Sequence, residues 1–190
     1  MSEITLAPLP SRPVLRRSLR SRITDLDPAL RVFAEDLLGE TSSIDLLAVD
    51  RSGALLVVLI GDEGRDLELV ARALALCAWV RPRVRDWLQL APDLGLSPDA
   101  GARALICCPS FQAETITAAG SLGPELLKLA RCRWVRNSGS EGVLLEPLAT
   151  PGAARVPDPD DGRALEPAPF RSGLSDQDLN LSAEERSEFE

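Results

Sequence analysis

Carboxylates are the side chains of this sequence that could do chemistry, and four of them fall close together along the chain: Asp45, Asp62, Glu63 and Glu68. The chain has no histidine and no tyrosine, and Lys128 is its single lysine. Imidazole is the usual acid–base group near neutral pH, so this composition excludes histidine-based catalysis. Carboxylate and metal chemistry is what remains.

The cysteines do not have the spacing of a metal site. They are scattered or adjacent, without a CxxC pair and without a histidine to complete a ligand set. We expect them to be small buried apolar residues, and we predict no bound metal and no cofactor. The four are Cys77, Cys107, Cys108 and Cys132.

Charge is divided between the two ends of the chain. The net charge of −8 repels a phosphate backbone unless basic residues gather on one face. Acidic residues crowd the stretch after Pro151, whereas arginines crowd the beginning. We favour an arm that docks on its own acidic domain, and the alternatives are a nucleic-acid-binding arm and a partner contact. The arginines concerned are Arg12, Arg16, Arg17, Arg20 and Arg22.

The elements that would position these groups begin with a helix and a hairpin. Asp27 as N-cap, Pro28 at the first helical position, and apolar residues in a helical period predict a helix over 28–37. Apolar runs predict buried strands at 44–49 and 54–60, joined by a tight turn at 50–53.

A long helix is predicted over 66–80, with a shorter one at 84–90. The long helix is apolar on more than one face, so we expect the sheet to cover it on one side and another element or subunit on the other. Strands at 104–108, 126–135 and 143–147 and a short helix at 111–119 complete the pattern, the second of these strands being half-exposed or at an edge.

The hairpin sequence resembles a known family. The stretch from Ser43 to Val58, SIDLLAVDRSGALLVV, resembles the IDLLAVD-x-x-G-x-LVVVELK hairpin of the NucS-like branch of the PD-(D/E)XK nuclease-like superfamily. The order of elements around it is similar to the core of that superfamily. The resemblance implies an α/β fold, a restriction-endonuclease-like three-layer core with a central mixed sheet flanked by helices.

The same resemblance implies a damaged catalytic motif. In that superfamily the first aspartate of the hairpin and an acidic residue on its second strand bind a divalent metal, and a lysine two positions later helps to activate water. The first aspartate falls on Asp45, but the second acidic position falls on Leu59 and the lysine position on Gly61. A lone carboxylate binds Mg²⁺ poorly. We therefore predict that the chain is not an enzyme.

Three regions follow from these patterns: a basic arm at 1–23, a nuclease-like domain at 24–149 and an acidic, proline-rich tail at 150–190 that ends in a possible short helix. We predict a cytoplasmic protein, without a membrane segment, that self-associates and binds a protein partner through its tail. The tail residues predicted to bind are Leu179, Leu181, Glu184, Glu185 and Phe189. The alternatives are nucleic-acid binding by the arm and a metal-dependent nuclease rearranged onto the four carboxylates named first.

Overall fold

The computed structural model describes residues 4–40, 42–137 and 139–149, which form seven strands and four α-helices. In chain order these are β1 (Ile4–Ala7), α1 (Arg12–Arg22), β2 (Arg31–Leu38), β3 (Ser43–Val49), β4 (Leu55–Ile60), α2 (Asp66–Val80), α3 (Val84–Leu90), β5 (Ala102–Cys108), α4 (Ala113–Leu122), β6 (Leu127–Asn137) and β7 (Ser140–Leu148). None of the described helices is long and apolar enough to cross a bilayer.

The strands form one mixed sheet in the order β1-β6-β5-β4-β3-β2, with β7 paired to β6. The three central strands β4, β5 and β6 are parallel to each other, and the other pairings are antiparallel. Each parallel connection contains at least one helix, as a parallel pair requires. The predicted strand near 126–135 is not at an edge, because β6 has strands on both sides, but many of its residues alternate between buried and partly exposed, as a half-exposed strand would.

Helices cover both faces of this sheet, which gives three layers. One face packs against α2 and the helices around it, with Leu59, Ala73 and Ile106 among the fully buried residues. The opposite face packs against α1, whose Leu15 and Leu19 are buried. The predicted α/β fold with a central mixed sheet between helices is confirmed.

The predicted hairpin is confirmed as β3 and β4, and its turn shows why the sequence specifies it. Oδ1 of Asp50 accepts hydrogen bonds from the N–H groups of Ser52 (2.8 Å) and Ala54 (3.1 Å). Gly53 has a φ of +83°, a conformation that favours glycine. Strong local turn chemistry and two unbroken apolar runs act together here, so the register is well determined.

The predicted helix over 28–37 is wrong, because this stretch is the edge strand β2. The side chain of Asp27 closes a local turn by accepting the N–H of Ala29 (2.9 Å), as an N-cap aspartate also would. The pairing with β3 then shifts between Val32 and Ala34. Such a bulge places neighbouring residues on one face and can imitate a helical spacing of apolar residues.

The predicted basic arm over 1–23 contains regular structure, since β1 and α1 lie within it. Leu19 is 1% exposed, and the hydroxyl of Ser18 accepts a hydrogen bond from the backbone N–H of Val143 in β7 (3.1 Å). Five arginines of α1 obscure the apolar positions 15 and 19, which lie one helical turn apart on one face. The helix is part of the folded layer over the sheet.

Candidate functional site

The carboxyl ends of β4 and β5 form the place where the predicted site residues would meet. Residues 61–65 follow β4 and lead into α2, and residues 109–112 follow β5 and lead into α4. Asp45 lies near the start of β3 beside the same end of the sheet, because the next residue, Leu46, pairs with Val58 of β4. The fold therefore brings the hairpin carboxylate next to the loop that follows β4.

Asp45, in β3 of the sheet, is bound by Arg12 of helix α1. Its side chain is 1% exposed and accepts Nε of Arg12 at Oδ1 (2.8 Å) and Nη2 of Arg12 at Oδ2 (2.7 Å). Oδ2 also accepts the backbone N–H of Ile60 (2.8 Å). The hydrogen bond to Asp45 raises the pKa of the Arg12 guanidinium, although desolvation opposes this change. The carboxylate thus has a permanent cation beside it.

The two positions that lack an acid and a lysine are packed too tightly to hold them. Leu59 has no solvent exposure and belongs to the core beneath α2. At Gly61, a Cβ atom would lie 2.2 Å from Cδ1 of Leu69 and 2.5 Å from Sγ of Cys108. Both distances are shorter than van der Waals contact. The residues around Gly61 are therefore packed against a glycine and leave no room for a lysine side chain.

The remaining predicted carboxylates are separated by their partners. Glu63 accepts the hydroxyl of Ser110 (3.1 Å), and Glu68 forms an exposed ion pair with Arg65 (3.1 Å). Asp62 lines a polar cavity of about 180 Å³ together with Arg12. Among the described residues no three His, Cys, Asp or Glu side chains are grouped to hold a metal ion. Both oxygens of Asp45 already accept hydrogen bonds from Arg12, so a metal ion at Asp45 would have to displace that guanidinium.

Asp66 is a buried carboxylate that the sequence reasoning missed. It is fully buried at the start of α2, and its Oδ2 accepts the backbone N–H of Gln112 (2.8 Å), the residue before α4. The side-chain amide of Gln112 donates in turn to the carbonyl of Gly64 (2.9 Å). These bonds connect the two loops at the strand ends. An acidic residue in a first helical turn is common, so the sequence carried no signal for it.

The arginines of the predicted nucleic-acid-binding arm are mostly neutralised by acids of the same domain. In addition to Arg12, three of them form ion pairs with nearby carboxylates, while Arg17 has no ion-pair partner among the described residues. These pairs are Arg16 with Asp36 (2.8 Å), Arg20 with Glu35, and Arg22 with Asp25 (3.5 Å). Docking on its own acidic domain is the alternative that this geometry favours.

The predicted partner-binding tail lies outside the described residues, so its contacts are not part of the structure. The cysteines, in contrast, are all described and all buried. Burial raises the pKa of the thiols of Cys77 and Cys132 to about 11 and that of Cys108 to about 12. Burial also raises the pKa of the Cys107 thiol well above its ordinary value. Buried thiols of this kind are poor nucleophiles.

A second surface is apolar and open to solvent. Between the edge strand β2 and helix α3 lies a groove of about 190 Å³ with apolar walls, which we call the β2 groove. Phe33 and Trp87 meet edge to face inside it, with ring centroids 6.2 Å apart. Leu90 at its rim is 82% exposed. The lining residues are Phe33, Ala34, Leu37, Leu47, Trp87, Leu90, Ala91 and Leu94.

Comparison with known proteins shows similarity of fold only. No protein-family model and no curated protein matches the chain. Solved structures similar to it include EndoMS in complex with double-stranded DNA, at 14% identity and a TM-score of 0.37. A repair endonuclease from Pyrococcus abyssi has 12% identity and a TM-score of 0.35. SfsA from Pyrococcus furiosus in complex with Ca²⁺ has 15% identity and a TM-score of 0.38.

These matches cover 67%, 58% and 72% of this chain. They cover 46% of the EndoMS chain, 43% of the Pyrococcus abyssi chain and 64% of the SfsA chain, so this chain spans less than half the length of the first two. These similarities concern the fold alone, and the observed mixed sheet between helices agrees with the α/β core that the resemblance of the hairpin implies.

The prediction that the chain is not an enzyme is wrong on this finding. It was inferred from the residues at Leu59 and Gly61, whereas the structures similar to this chain include a repair endonuclease. A missing acid and a missing lysine at two positions do not exclude a protein from a fold that nucleases use.

Proposed function

We propose that this protein is an interaction component with a nuclease-like fold, which self-associates through the β2 groove. The observation that carries the proposal is the exposure of Leu90 beside a groove with apolar walls. Large apolar side chains that remain exposed around such a groove mark contact surfaces more often than isolated exposed leucines do. The same surface contains both a protruding leucine and a concave region that could receive one.

A second copy of the chain is the occupant that this shape favours. In a two-fold symmetric interface the same patch is used on both subunits, so Leu90 of each copy can enter the groove of the other. The helices over this face leave the groove open, since α2 packs mainly on β4 and β5 and not on β2. A second copy would cover Phe33, Leu37 and Trp87 and so complete the helical layer.

The strand edge itself is a poorer surface for pairing. β2 contains a bulge between Val32 and Ala34, and Asp36 has a φ of +52°. Bulges and charged residues are devices that prevent edge strands from pairing with other chains. We therefore place the contact in the groove, through side chains, and not along the backbone of β2.

The expected affinity is moderate. Full burial of a leucine stabilises by about 1.5–3 kcal/mol, and a symmetric contact buries two of them. The loss of translational and rotational freedom on association costs about 4–15 kcal/mol. Burial of the apolar groove walls must therefore supply much of the binding free energy beyond that of the two leucines. We expect a dimer with a dissociation constant in the micromolar range.

Light scattering after size exclusion tests this proposal at loading concentrations from about 1 to 200 µM. The wild-type mass should rise toward twice 20.4 kDa. Leu90→Asp should remain monomeric, because its carboxylate would have to enter an apolar groove. The matched control is Leu6→Asp, at an exposed leucine of β1 at the far end of the sheet, and it should still dimerise. A monomeric wild type at every concentration would refute the proposal.

The acidic tail is the second part of the proposed function. We propose that Leu181 and Phe189, with the acids between them, bind a protein partner. Deletion of residues 175–190 should abolish recovery of that partner in a pull-down and leave the thermal unfolding midpoint nearly unchanged. Retained recovery after the deletion would exclude the tail as the binding segment.

A further inference from the structure

A small cavity lies over the sheet face that α1 covers, near the beginning of β5 and β6. It encloses about 110 Å³, and the residues at positions 26–30 after α1 form one of its walls. Its apolar lining consists largely of Leu26, Leu30, Leu56, Leu105, Ala130 and Pro147. It is separate from the β2 groove, which lies on the other face of the sheet and is lined by different residues.

Two cations line this cavity. Lys128 is the single lysine of the chain; it is exposed, and it has no ion pair among the described residues. Arg103 forms an ion pair with Asp50 (Nη2–Oδ2 2.8 Å), and its Nε is buried without a hydrogen-bond partner among the described residues. Asp27 also lines the cavity, and its Oδ1 is occupied by the N–H of Ala29 (2.9 Å).

These features define the chemistry that would suit the cavity. The guanidinium of Arg103 is already paired with Asp50, so Lys128 is the cation that is left to bind an anion. The ammonium of Lys128 carries three donors and favours an anionic oxygen, such as that of a carboxylate. The apolar lining requires that the rest of the ligand be hydrocarbon. An acid with one charged end and an aliphatic remainder has the chemistry that suits this cavity.

The volume of the cavity limits the hydrocarbon. An engineered cavity of about 150 Å³ in another protein admits benzene, and a volume of 110 Å³ is smaller. We propose that this cavity binds a small aliphatic monocarboxylate with about three to five carbons beyond the carboxyl group, of the size of isovalerate. The carboxylate pairs with the ammonium of Lys128, and the hydrocarbon packs between Leu30, Leu56 and Leu105.

Titration calorimetry of the full chain with acetate, isovalerate, octanoate and the neutral amide of isovalerate tests this inference. Isovalerate should bind with a dissociation constant of about 1 mM, as expected for a ligand with so few atoms. Acetate and the amide should bind at least tenfold more weakly, because the first lacks hydrocarbon and the second lacks charge. Octanoate should bind more weakly than isovalerate, because its chain exceeds the cavity.

Two variants separate the cavity from unspecific binding. Lys128→Met keeps most of the side-chain length without the charge and should weaken isovalerate at least tenfold, whereas Lys128→Arg should largely retain binding. Ala130→Leu should abolish binding by filling the cavity, and circular dichroism checks that it still folds. If Ala130→Leu fails to fold, Leu105→Met replaces it and should change the preference for chain length.

Equal affinity for isovalerate and its amide would overturn the inference, and so would affinity that rises steadily up to octanoate. Unchanged binding in Lys128→Met would overturn it as well.

Discussion

Arg12 and Asp45 form a bidentate ion pair between helix α1 and the hairpin, with Nε–Oδ1 and Nη2–Oδ2 distances of 2.8 and 2.7 Å. The carboxylate is 1% exposed and the arginine side chain 43%. A carboxylate at this depth requires a cation or several hydrogen bonds to offset its desolvation. In this protein the guanidinium of Arg12 supplies the positive charge, and the backbone N–H of Ile60 donates a further hydrogen bond.

Removal of this guanidinium should destabilise the fold more than removal of one whose partner carboxylate is less buried. Arg12→Gln should lower the free energy of unfolding by about 1–3 kcal/mol, because Asp45 then remains buried without its cation. The control is Arg20→Gln, whose partner Glu35 is only partly buried, and we expect a loss below about 1 kcal/mol. Urea denaturation measures both. Equal losses in the two variants would show that the pair at Asp45 has no special weight.

The charge pair can also be tested by removing both partners. Asp45→Asn combined with Arg12→Gln should cost less than the sum of the two single changes, because neither variant side chain is charged. Additive losses would mean that the residues stabilise the fold independently.

Gly61 should not accept even a methyl group without a cost. Gly61→Ala should destabilise by about 1–3 kcal/mol, because its Cβ would overlap with Leu69 and Cys108. Gly142→Ala is the matched control, since no atom lies within 4 Å of the Cβ position there, and its effect should stay within about 0.5 kcal/mol. Thermal unfolding compares the two. A neutral Gly61→Ala would contradict the close packing at the end of β4.

Much of this architecture can be predicted from the sequence, and the elements that were predicted wrongly have physical causes. The hairpin and the long helix depend on local turn chemistry and on apolar periods, which a single sequence shows directly. The error at β2 arises because a bulge imitates the spacing of a helix. The pairing of Arg12 with Asp45 joins residues that are 33 positions apart, and only the packing of α1 on the sheet brings them together.

Acid should weaken the fold partly through Asp50. Desolvation raises the pKa of Asp50, but hydrogen bonds from Ser52 and Ala54 and the charge of Arg103 outweigh it, so that the pKa is lowered in the folded protein. A carboxylate of this kind contributes stability above its unfolded pKa of about 4 and loses that contribution as the pH falls through the folded pKa. Asp50→Asn should therefore be destabilised at pH 7.

The difference between wild type and Asp50→Asn should shrink as the pH falls below about 4. Urea denaturation at a series of pH values between 7 and 3 measures it. Asp99→Asn, at an exposed aspartate outside the described ion pairs, is the control and should follow the wild type. A difference that does not vary with pH would exclude Asp50 as a source of acid sensitivity.

The thiols should be unreactive in the folded protein. Burial raises the pKa of Cys77, Cys108 and Cys132 to about 11 or 12, so little thiolate exists at pH 8, and the sulfur atoms are also shielded from solvent. We expect an aromatic disulfide reagent to modify no cysteine rapidly at pH 8 and to modify all four after addition of denaturant. Rapid modification of the native protein would contradict the burial of these side chains.

Photo-crosslinking from position 90 tests the proposed self-association most directly. Leu90 is replaced by p-benzoylphenylalanine, and equal amounts of light and isotopically heavy protein are mixed and irradiated at concentrations at which the wild type should be dimeric. The account predicts mixed light–heavy adducts that join position 90 of one copy to the segment around Phe33 and Leu37 of another. Adducts confined to single copies, or intermolecular adducts only at other surfaces, would contradict it.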